Sequence, residues 1–321
     1  MAEITSAYEA YEALPGLTWD DIFDATDLVN QALDERSADS TVRNLLFSQE
    51  TTPGVTVGWR TDVPAGDPDS VETLAEFAEA PVIDPTKGAE GFSKLKAVGA
   101  SMRVSYEQTK LNAGAAVQRE INHMVRTIEM HDSRQALNVF NAAIDETDPL
   151  KKVDSIAAAA PLTDPNAVPL DDFLKANELI MGAEIDGIQF GYIGDTFWTN
   201  PVTAARLRNH VNIRDLYVGN MASENPMFNP GLATIAGQFA ILEDPTIPVG
   251  EGFLFQGGDV SGSTIGTEYV WQDGAGEVSA FYADGDTSRG GRTRSFRADY
   301  SKWNAMALRA PKAIVKITGL V

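Results

Sequence analysis

Residues 53–91 read PGVTVGWRTDVPAGDPDSVETLAEFAEAPVIDPTKGAEG, and residues 115–144 read AAVQREINHMVRTIEMHDSRQALNVFNAAI. The first stretch is cut up by Pro53, Gly54, Gly58, Pro64, Gly66, Pro68, Pro81, Pro85, Gly88 and Gly91. Its apolar residues (Val55, Val57, Trp59, Val71, Leu74, Phe77, Val82 and Ile83) are too sparse for a core of their own. Connections this long inside a compact domain are usually functional or disordered. A disordered linker is poor in aromatics, yet this one carries Trp59 and Phe77, and Val55, Val57 and Trp59 alternate as a strand does. The stretch predicts an extended hairpin whose apolar face is covered by something else, such as another copy of the chain.

The second stretch is the opposite kind of structure. Ser105 and Gln108 have capping-box spacing. Beyond a soft spot at Asn112 and Gly114, apolar residues recur at Val117, Ile121, Met124, Val125, Ile128, Leu137, Phe140 and Ile144, the spacing of one helical face. Continuous from Ala115 to Ile144, this helix would be roughly 45 Å long. Alone it would fit the core of a large enzyme domain; after such a ribbon it fits the spine of an elongated subunit.

At 321 residues the chain is long enough for one large domain or two moderate ones. Its 43% apolar and 22% charged content is that of a folded protein. A net charge of −21 opposes sequence-independent binding to nucleic acid and docking on anionic membranes. The absence of cysteine excludes disulfides, thiolate nucleophiles and cysteine-based metal sites. Met1-Ala-Glu-Ile-Thr lacks signal-peptide character, and no apolar run approaches the roughly 20 residues of a membrane span. The chain is expected to stay in the cytosol unless it leaves inside something larger. Charge is unevenly spread. Residues 1–100 hold 19 acidic and 6 basic side chains, while residues from Asp286 onward hold 2 acidic and 8 basic ones. The two ends can pair within a subunit or between neighbours, or be solvated faces with no partner.

Residues 1–47 predict an N-terminal arm with a short acidic helix, capped by Thr18 and opened by Asp20, Asp21 and Asp24. A strand at 96–104 precedes the spine helix, and a proline-rich boundary follows Asp145. Helices are expected at 170–181 and 200–209. Strands are expected at 188–193, 239–242, 253–255, 267–271, 278–282, 292–300 and 313–318. The class is α+β with segregated elements.

No catalytic constellation emerges. His123, His131 and His210 form no HExxH or HxH pattern, and the first two stand about 12 Å apart along one helix, so all three read as helix-surface residues. The acidic pairs Asp20/Asp21 and Asp171/Asp172 stand near helix N-termini, where the macrodipole favours carboxylates. The glycine clusters at 231–237, 257–258 and 290–291 lack P-loop and dinucleotide signatures, and there is no GxSxG. Asp284-Gly-Asp286 lacks the spacing of a calcium loop and reads as a turn. Arg289, Arg292, Arg294 and Arg297, with glycines beside them, read as a loop contacting an acidic neighbour rather than a phosphate grip.

Four stretches, taken in order, resemble the HK97-fold major capsid protein of tailed double-stranded DNA bacteriophages. AVGASMRVSYEQTKLN (97–112) is similar to the family's passage from extended loop to spine helix. FGYIGDTFWTNPVTAARLRNH (190–210) is similar to its strand-then-helix element, and TIAGQFAILEDPTIPVGEGFLF (234–255) to a turn, strand, proline loop and second strand. RTRSFRADYSKWNAMALRAPKAIVKITG (292–319) resembles its closing basic strand and last apolar strand. The specificity lies in order and spacing, not in any one motif.

The resemblance implies an HK97-like capsid fold with an N-terminal arm (1–47), an extended loop (48–103), a peripheral-domain spine helix (104–152) and an axial domain (153–258). Peripheral return strands (259–302) and a final axial strand (303–321) would complete it. It implies a structural virion protein, not an enzyme, with no catalytic residue, cofactor or metal. Copies would self-assemble in the host cytoplasm into hexamers and pentamers of an icosahedral shell around the phage genome, without sequence-specific DNA contacts and without a membrane. Some members carry an N-terminal scaffolding segment that this sequence does not show, so a separate scaffolding protein, or none, is expected. A portal is implied, and a decoration protein is left open. Some members crosslink a loop lysine to a neighbour's asparagine; for Lys87, Lys94 and Lys96 no such partner can be matched. The expected assembly contacts are Trp59, Phe77, Arg289, Arg292, Arg294 and Arg297. The rival readings are an encapsulin-like nanocompartment, which shares the fold, and a soluble carboxylate-based enzyme.

Overall fold

The computed structural model describes residues 41–64, 71, 73, 74, 87–215, 234, 235, 238–257, 264–274, 276–279, 281–284 and 295–321. Helix α1 (Thr41–Leu46) runs directly into β1 (Phe47–Thr52). The hairpin strands β2 (Thr56–Arg60) and β3 (Glu90–Lys94) precede β4 (Lys96–Ser105) and the long helix α2 (Tyr106–Ile144). Next come β5 (Asp154–Ala157), α3 (Pro169–Met181), β6 (Glu184–Ile185), β7 (Ile188–Gln189), β8 (Thr196–Thr199), α4 (Pro201–Asn209) and α5 (Val211–Asp215). Strands β9 (Thr234–Ile235), β10 (Phe239–Glu243) and β11 (Gly252–Phe255) follow. The chain closes with β12 (Gly266–Trp271), β13 (Glu277–Val278), β14 (Tyr282–Ala283), β15 (Ser295–Leu308), a 3-10 turn (Pro311–Ala313) and β16 (Ile314–Thr318).

The first six-stranded sheet is built on β15. Along one edge it pairs with β4 from Ser295↔Ser105 to Asn304↔Lys96. Along the other it takes β14, β13 and β12 in turn, and β1 adds in parallel beyond β12. Phe296, Ala298 and Tyr300 are buried on the inward parity of β15, alternating with Arg297, Asp299 and Ser301. The second six-stranded sheet runs β5-β16-β11-β8-β10-β9 and mixes parallel and antiparallel pairs. Its central strands, TFWT and GFLF, are buried at every position, the pattern of strands covered on both faces.

Helix α2 joins the two. Its 39 residues span about 58 Å. Near its N-terminal half Met124 and Val125 pack with Met102, Ala298 and Tyr300 of the first sheet. Near its end the Phe140 ring lies 6.1 Å from Phe47 of β1, 5.7 Å from Trp198 of β8 and 5.5 Å from Phe253 of β11. One fully buried phenylalanine thus touches both sheets. Helix α4 is started by Asn200, whose side chain accepts from the Val202 N–H at 2.9 Å, with Pro201 at the first helical position.

Several expectations need correction. The helix passes through Asn112 and Gly114 without a break and begins at Tyr106, because one glycine costs only about 1 kcal/mol in a helix. The buried strand expected at 188–193 is instead Thr196–Thr199. Asp186 and Gly187 both take positive φ (54° and 81°), which makes a tight turn and folds Ile188–Gln189 back on Glu184–Ile185; Ile193 is left exposed. The strand expected at 278–282 is two short ones, β13 and β14. In the first sheet β1 starts at Phe47, and β15 keeps pairing with β12 to Leu308. The acidic helix near Thr18 lies outside the described residues.

Candidate assembly surface

The hairpin β2–β3 is a two-stranded sheet with two unlike faces. Its register sets Trp59 opposite Gly91 and Gly58 opposite Phe92, so each face has one aromatic ring laid over a glycine. A Cβ on Gly91 would meet the Trp59 ring at 2.4 Å, so only glycine admits the indole there. Trp59 is half-buried and its Nε1–H donates to Ser93 Oγ at 3.1 Å. On the other face every residue is exposed: Thr56, Gly58, Arg60, Glu90, Phe92 and Lys94. Phe92 is 77% exposed. Beside it Arg60 Nε and Nη2 both donate to Glu90 Oε1 (3.1 and 2.5 Å), and Lys151 Nζ donates to the Glu90 carbonyl at 2.6 Å. Further along the loop Val71 and Leu74 are exposed as well.

Of the six expected contact residues, the structure places Trp59 and Arg297; Phe77, Arg289, Arg292 and Arg294 lie outside the described residues. Trp59 and Arg297 are not brought together. Arg297 sits on β15, where its Nε donates to Asp299 Oδ1 at 2.7 Å, and Asp299 Oδ2 also accepts from the Tyr282 hydroxyl at 2.5 Å. Beside it Arg103 pairs with Asp284 at 2.7 Å. This corner of the first sheet is a mixed-charge ladder in which Arg297 already holds a carboxylate.

Two charged clusters were not anticipated. Lys302 is 3% exposed and is gripped by Glu268 of β12, with Asp132 of α2 at 3.7 Å. Asn304 Nδ2 donates to the same Glu268 oxygen at 2.8 Å and to Gln135 Oε1 of α2 at 3.3 Å. The signal was present in sequence: Lys302 and Asn304 continue the inward parity of Ala298 and Tyr300, and Asp132 lies one helical turn from both Ile128 and Ala136. Polar residues at core positions on two facing elements must pair with each other. The second cluster stands at the root of the hairpin. The Asp62 N–H donates to the Arg309 carbonyl at 2.8 Å, and its carboxylate lies 3.9 Å from Arg309 Nε, while Arg309 Nη1 lies 3.8 Å from Glu50 of β1. Burial raises the Asp62 pKa against the opposing pull of Arg309. Burial, then the Asp62 charge, pushes the Tyr192 hydroxyl up.

The residues weighed for chemistry are placed apart. His123 and His131 are exposed on α2, as expected for surface histidines. His210 is not on a surface: it is 5% exposed between α4 and α5. Its Nδ1 accepts from the Asn212 N–H, so its Nε2–H donates to the Asp164 carbonyl at 3.0 Å. Asp171 and Asp172 occupy the first turn of α3, and the buried Asp172 carboxylate accepts from the Ala159 N–H. Among the described residues no group of three acidic or histidine side chains is placed to hold a metal, and no helix is long and apolar enough to cross a membrane.

The family description "phage capsid protein" matches residues 88–317, from the return strand of the hairpin to the last strand of the second sheet. The chain belongs to the phage capsid protein family. This is the kinship read from the order of its segments, and it makes the chain a structural capsid-shell protein with an HK97-like α+β fold. The fold is shared with a phage-related protein from Bordetella bronchiseptica RB50 at 12% identity and TM-score 0.57, covering 92% of this chain and 97% of that one. The capsid of the cyanophage P-SCSP1u aligns at 11% identity and TM-score 0.53 over 86% of each chain. A virus-like particle from Pyrococcus furiosus aligns at 12% identity and TM-score 0.51 over 91% and 99%. No curated protein matches the sequence.

Proposed function

We propose that this capsid-family chain is the major capsid protein of a tailed bacteriophage and builds an icosahedral shell of hexamers and pentamers around the phage genome. The observation that carries the reading is the outer face of the hairpin. Phe92 stands in solvent over Gly58 while Arg60 and Glu90 beside it are paired with each other, so the face presents an apolar ring without an apolar cover. In the shell a neighbouring subunit supplies that cover, and Phe92 joins Trp59 and Phe77 as loop contacts. Arg289, Arg292 and Arg294 meet acidic surface next door, with Arg297 held for them by Asp299. Weak contacts repeated around a closed lattice give stability without disulfides. A chain of net charge −21 encloses DNA without gripping it. Assembly takes place in the host cytoplasm with a portal and a separate scaffolding protein, and a decoration protein can cement the lattice.

An encapsulin-like compartment has the same fold and would use the same contacts; only the content differs. Negative-stain electron microscopy with light-scattering mass on the purified chain tests assembly. Closed polyhedra or five- and six-membered rings are expected, and nucleic acid rather than a protein cargo inside particles from infected cells. A protein cargo would replace the phage reading by the compartment one. Monomers that stay monomeric with a scaffolding protein added would overturn both.

A further inference from the structure

A cavity of about 480 Å³ opens where the return strand of the hairpin meets the spine helix and β15. Its walls carry Lys94 and Lys96 on one side, His131, Gln135 and Asn138 of α2 on another, and Asn304 and Met306 of β15 on the floor. Lys94 and Lys96 are exposed and have no ion pair among the described residues. Elsewhere, by contrast, Arg60, Arg208, Lys312 and Lys316 each hold a carboxylate. Lys94 and Lys96 put two cations without a carboxylate side by side on one cavity rim, in a chain with 46 acidic and 25 basic residues. The floor is also unfinished. Asn304 is 2% exposed, its amide NH2 serves Glu268 and Gln135, and its Oδ1 accepts no hydrogen bond.

Cations on the rim, and amide side chains with the apolar Met306 and Val139 within, suit an acidic peptide. Its carboxylates would meet the lysines, its backbone N–H groups the amide oxygens, and an apolar side chain Met306 and Val139. The chain itself contains such a peptide. Residues 1–40 hold ten acidic side chains against Arg36 alone, with Ile22, Phe23, Leu28 and Leu33 interleaved. That segment leads into α1, which packs on α2, the same helix whose His131–Val139 stretch walls the cavity. Because the segment belongs to the same chain, its docking would be intramolecular, which favours weak ionic contacts. We propose that the cavity at the hairpin root is a socket for the acidic segment 1–40 of the same chain. The proposal does not rest on the shell reading, because it is tested on unassembled subunits.

Zero-length carbodiimide coupling of the full chain, read by proteolysis and mass spectrometry, decides it. The expected product is an amide between Lys94 or Lys96 and an acidic residue of 1–40. Lys312 and Asp154, 3.0 Å apart, provide the positive control in the same sample. Coupling of that control pair without any link from Lys94 or Lys96 to 1–40 would overturn the proposal. In an equal mixture of 14N and 15N chains the link should stay within one isotope; links across isotopes would overturn the assignment to the chain's own segment. A Lys94→Ala/Lys96→Ala variant should lose the link and be cut faster by trypsin at Arg36, whereas an unchanged cleavage rate would count against the socket.

Discussion

The spine seam and the loop hairpin are made from similar residues and end in opposite conditions. At the seam, Phe140 finds Phe47, Trp198 and Phe253, and Lys302 finds Glu268 and Asp132, all in one chain. On the hairpin, Arg60 finds Glu90 and Trp59 finds Ser93, but Phe92 finds only a glycine beneath it and water above. The seam is closed by its own sequence and the hairpin is half closed. The difference separates residues that make a subunit from residues that connect subunits, and it can be broken by substitution.

The largest effect belongs to Phe140. Its truncation to Ala removes the ring that both sheets share and leaves a cavity, which should lower unfolding free energy by about 4 kcal/mol in denaturant titration of the isolated subunit. Shell yield should fall with it, because no subunit remains to assemble. Lys302→Met comes next. Removing one partner of a buried pair strands Glu268 and Asp132 as like charges on facing elements, and a loss of about 3 kcal/mol is expected in the same titration. A Lys302→Met/Glu268→Leu double variant should recover part of that loss. A double variant that loses as much as Lys302→Met and Glu268→Leu added together would show that the network is not coupled.

Phe92 should invert this order. Phe92→Ser should leave subunit stability within about 0.5 kcal/mol. It should nevertheless raise the protein concentration needed for shell assembly, since each contact loses about 2 kcal/mol of apolar burial. Trp59→Ala falls between the two. It uncovers Gly91 and frees Ser93 in the subunit, about 1 kcal/mol, so its effect on shells is shared with an effect on the hairpin itself. If Phe92→Ser and Trp59→Ala shift subunit melting equally, the two faces of the hairpin are not distinct and the comparison fails.

How far sequence reaches follows the same line. The inward faces of α2 and β15 were legible because each element carries its own period: Met124, Val125, Phe140 and Ile144 in one, Ala298 and Tyr300 in the other. The Lys302–Asp132 contact was also present, as polar residues at inward positions of two such patterns. Phe92 was not legible. Its neighbours Glu90, Gly91, Ser93 and Lys94 show no alternation, and the face it occupies depends on the pairing Trp59↔Gly91 across the loop 61–89. At Asp186-Gly187 the turn signal stands in the sequence, but the apolar pattern of 188–193 after it does not tell a two-residue strand folded back on Glu184–Ile185 from one buried strand.

The smallest effect is the most specific to the hinge between the two regions. Asp62 leaves β2 toward the loop, and its half-buried side chain stands beside Arg309 and Tyr192, with Glu50 and Tyr269 near Arg309 and its buried Oδ2 accepting no hydrogen bond. Its pKa is raised in the folded state above the ordinary value of 3.8. The folded state therefore holds this proton more tightly than the unfolded one, so the contribution of this group to stability is fullest below pH 3.8 and is lost as pH rises through the raised value. Asp62→Asn removes that charge and keeps the backbone N–H that ties the loop to Arg309. It should match or exceed the parent in stability at neutral pH, by about 1 kcal/mol or less, and the gain should vanish below pH 3.8. A variant weaker than the parent at neutral pH would mean that the 3.9 Å contact with Arg309 outweighs burial, and the loop root would then belong with the closed seam rather than with the half-closed hairpin.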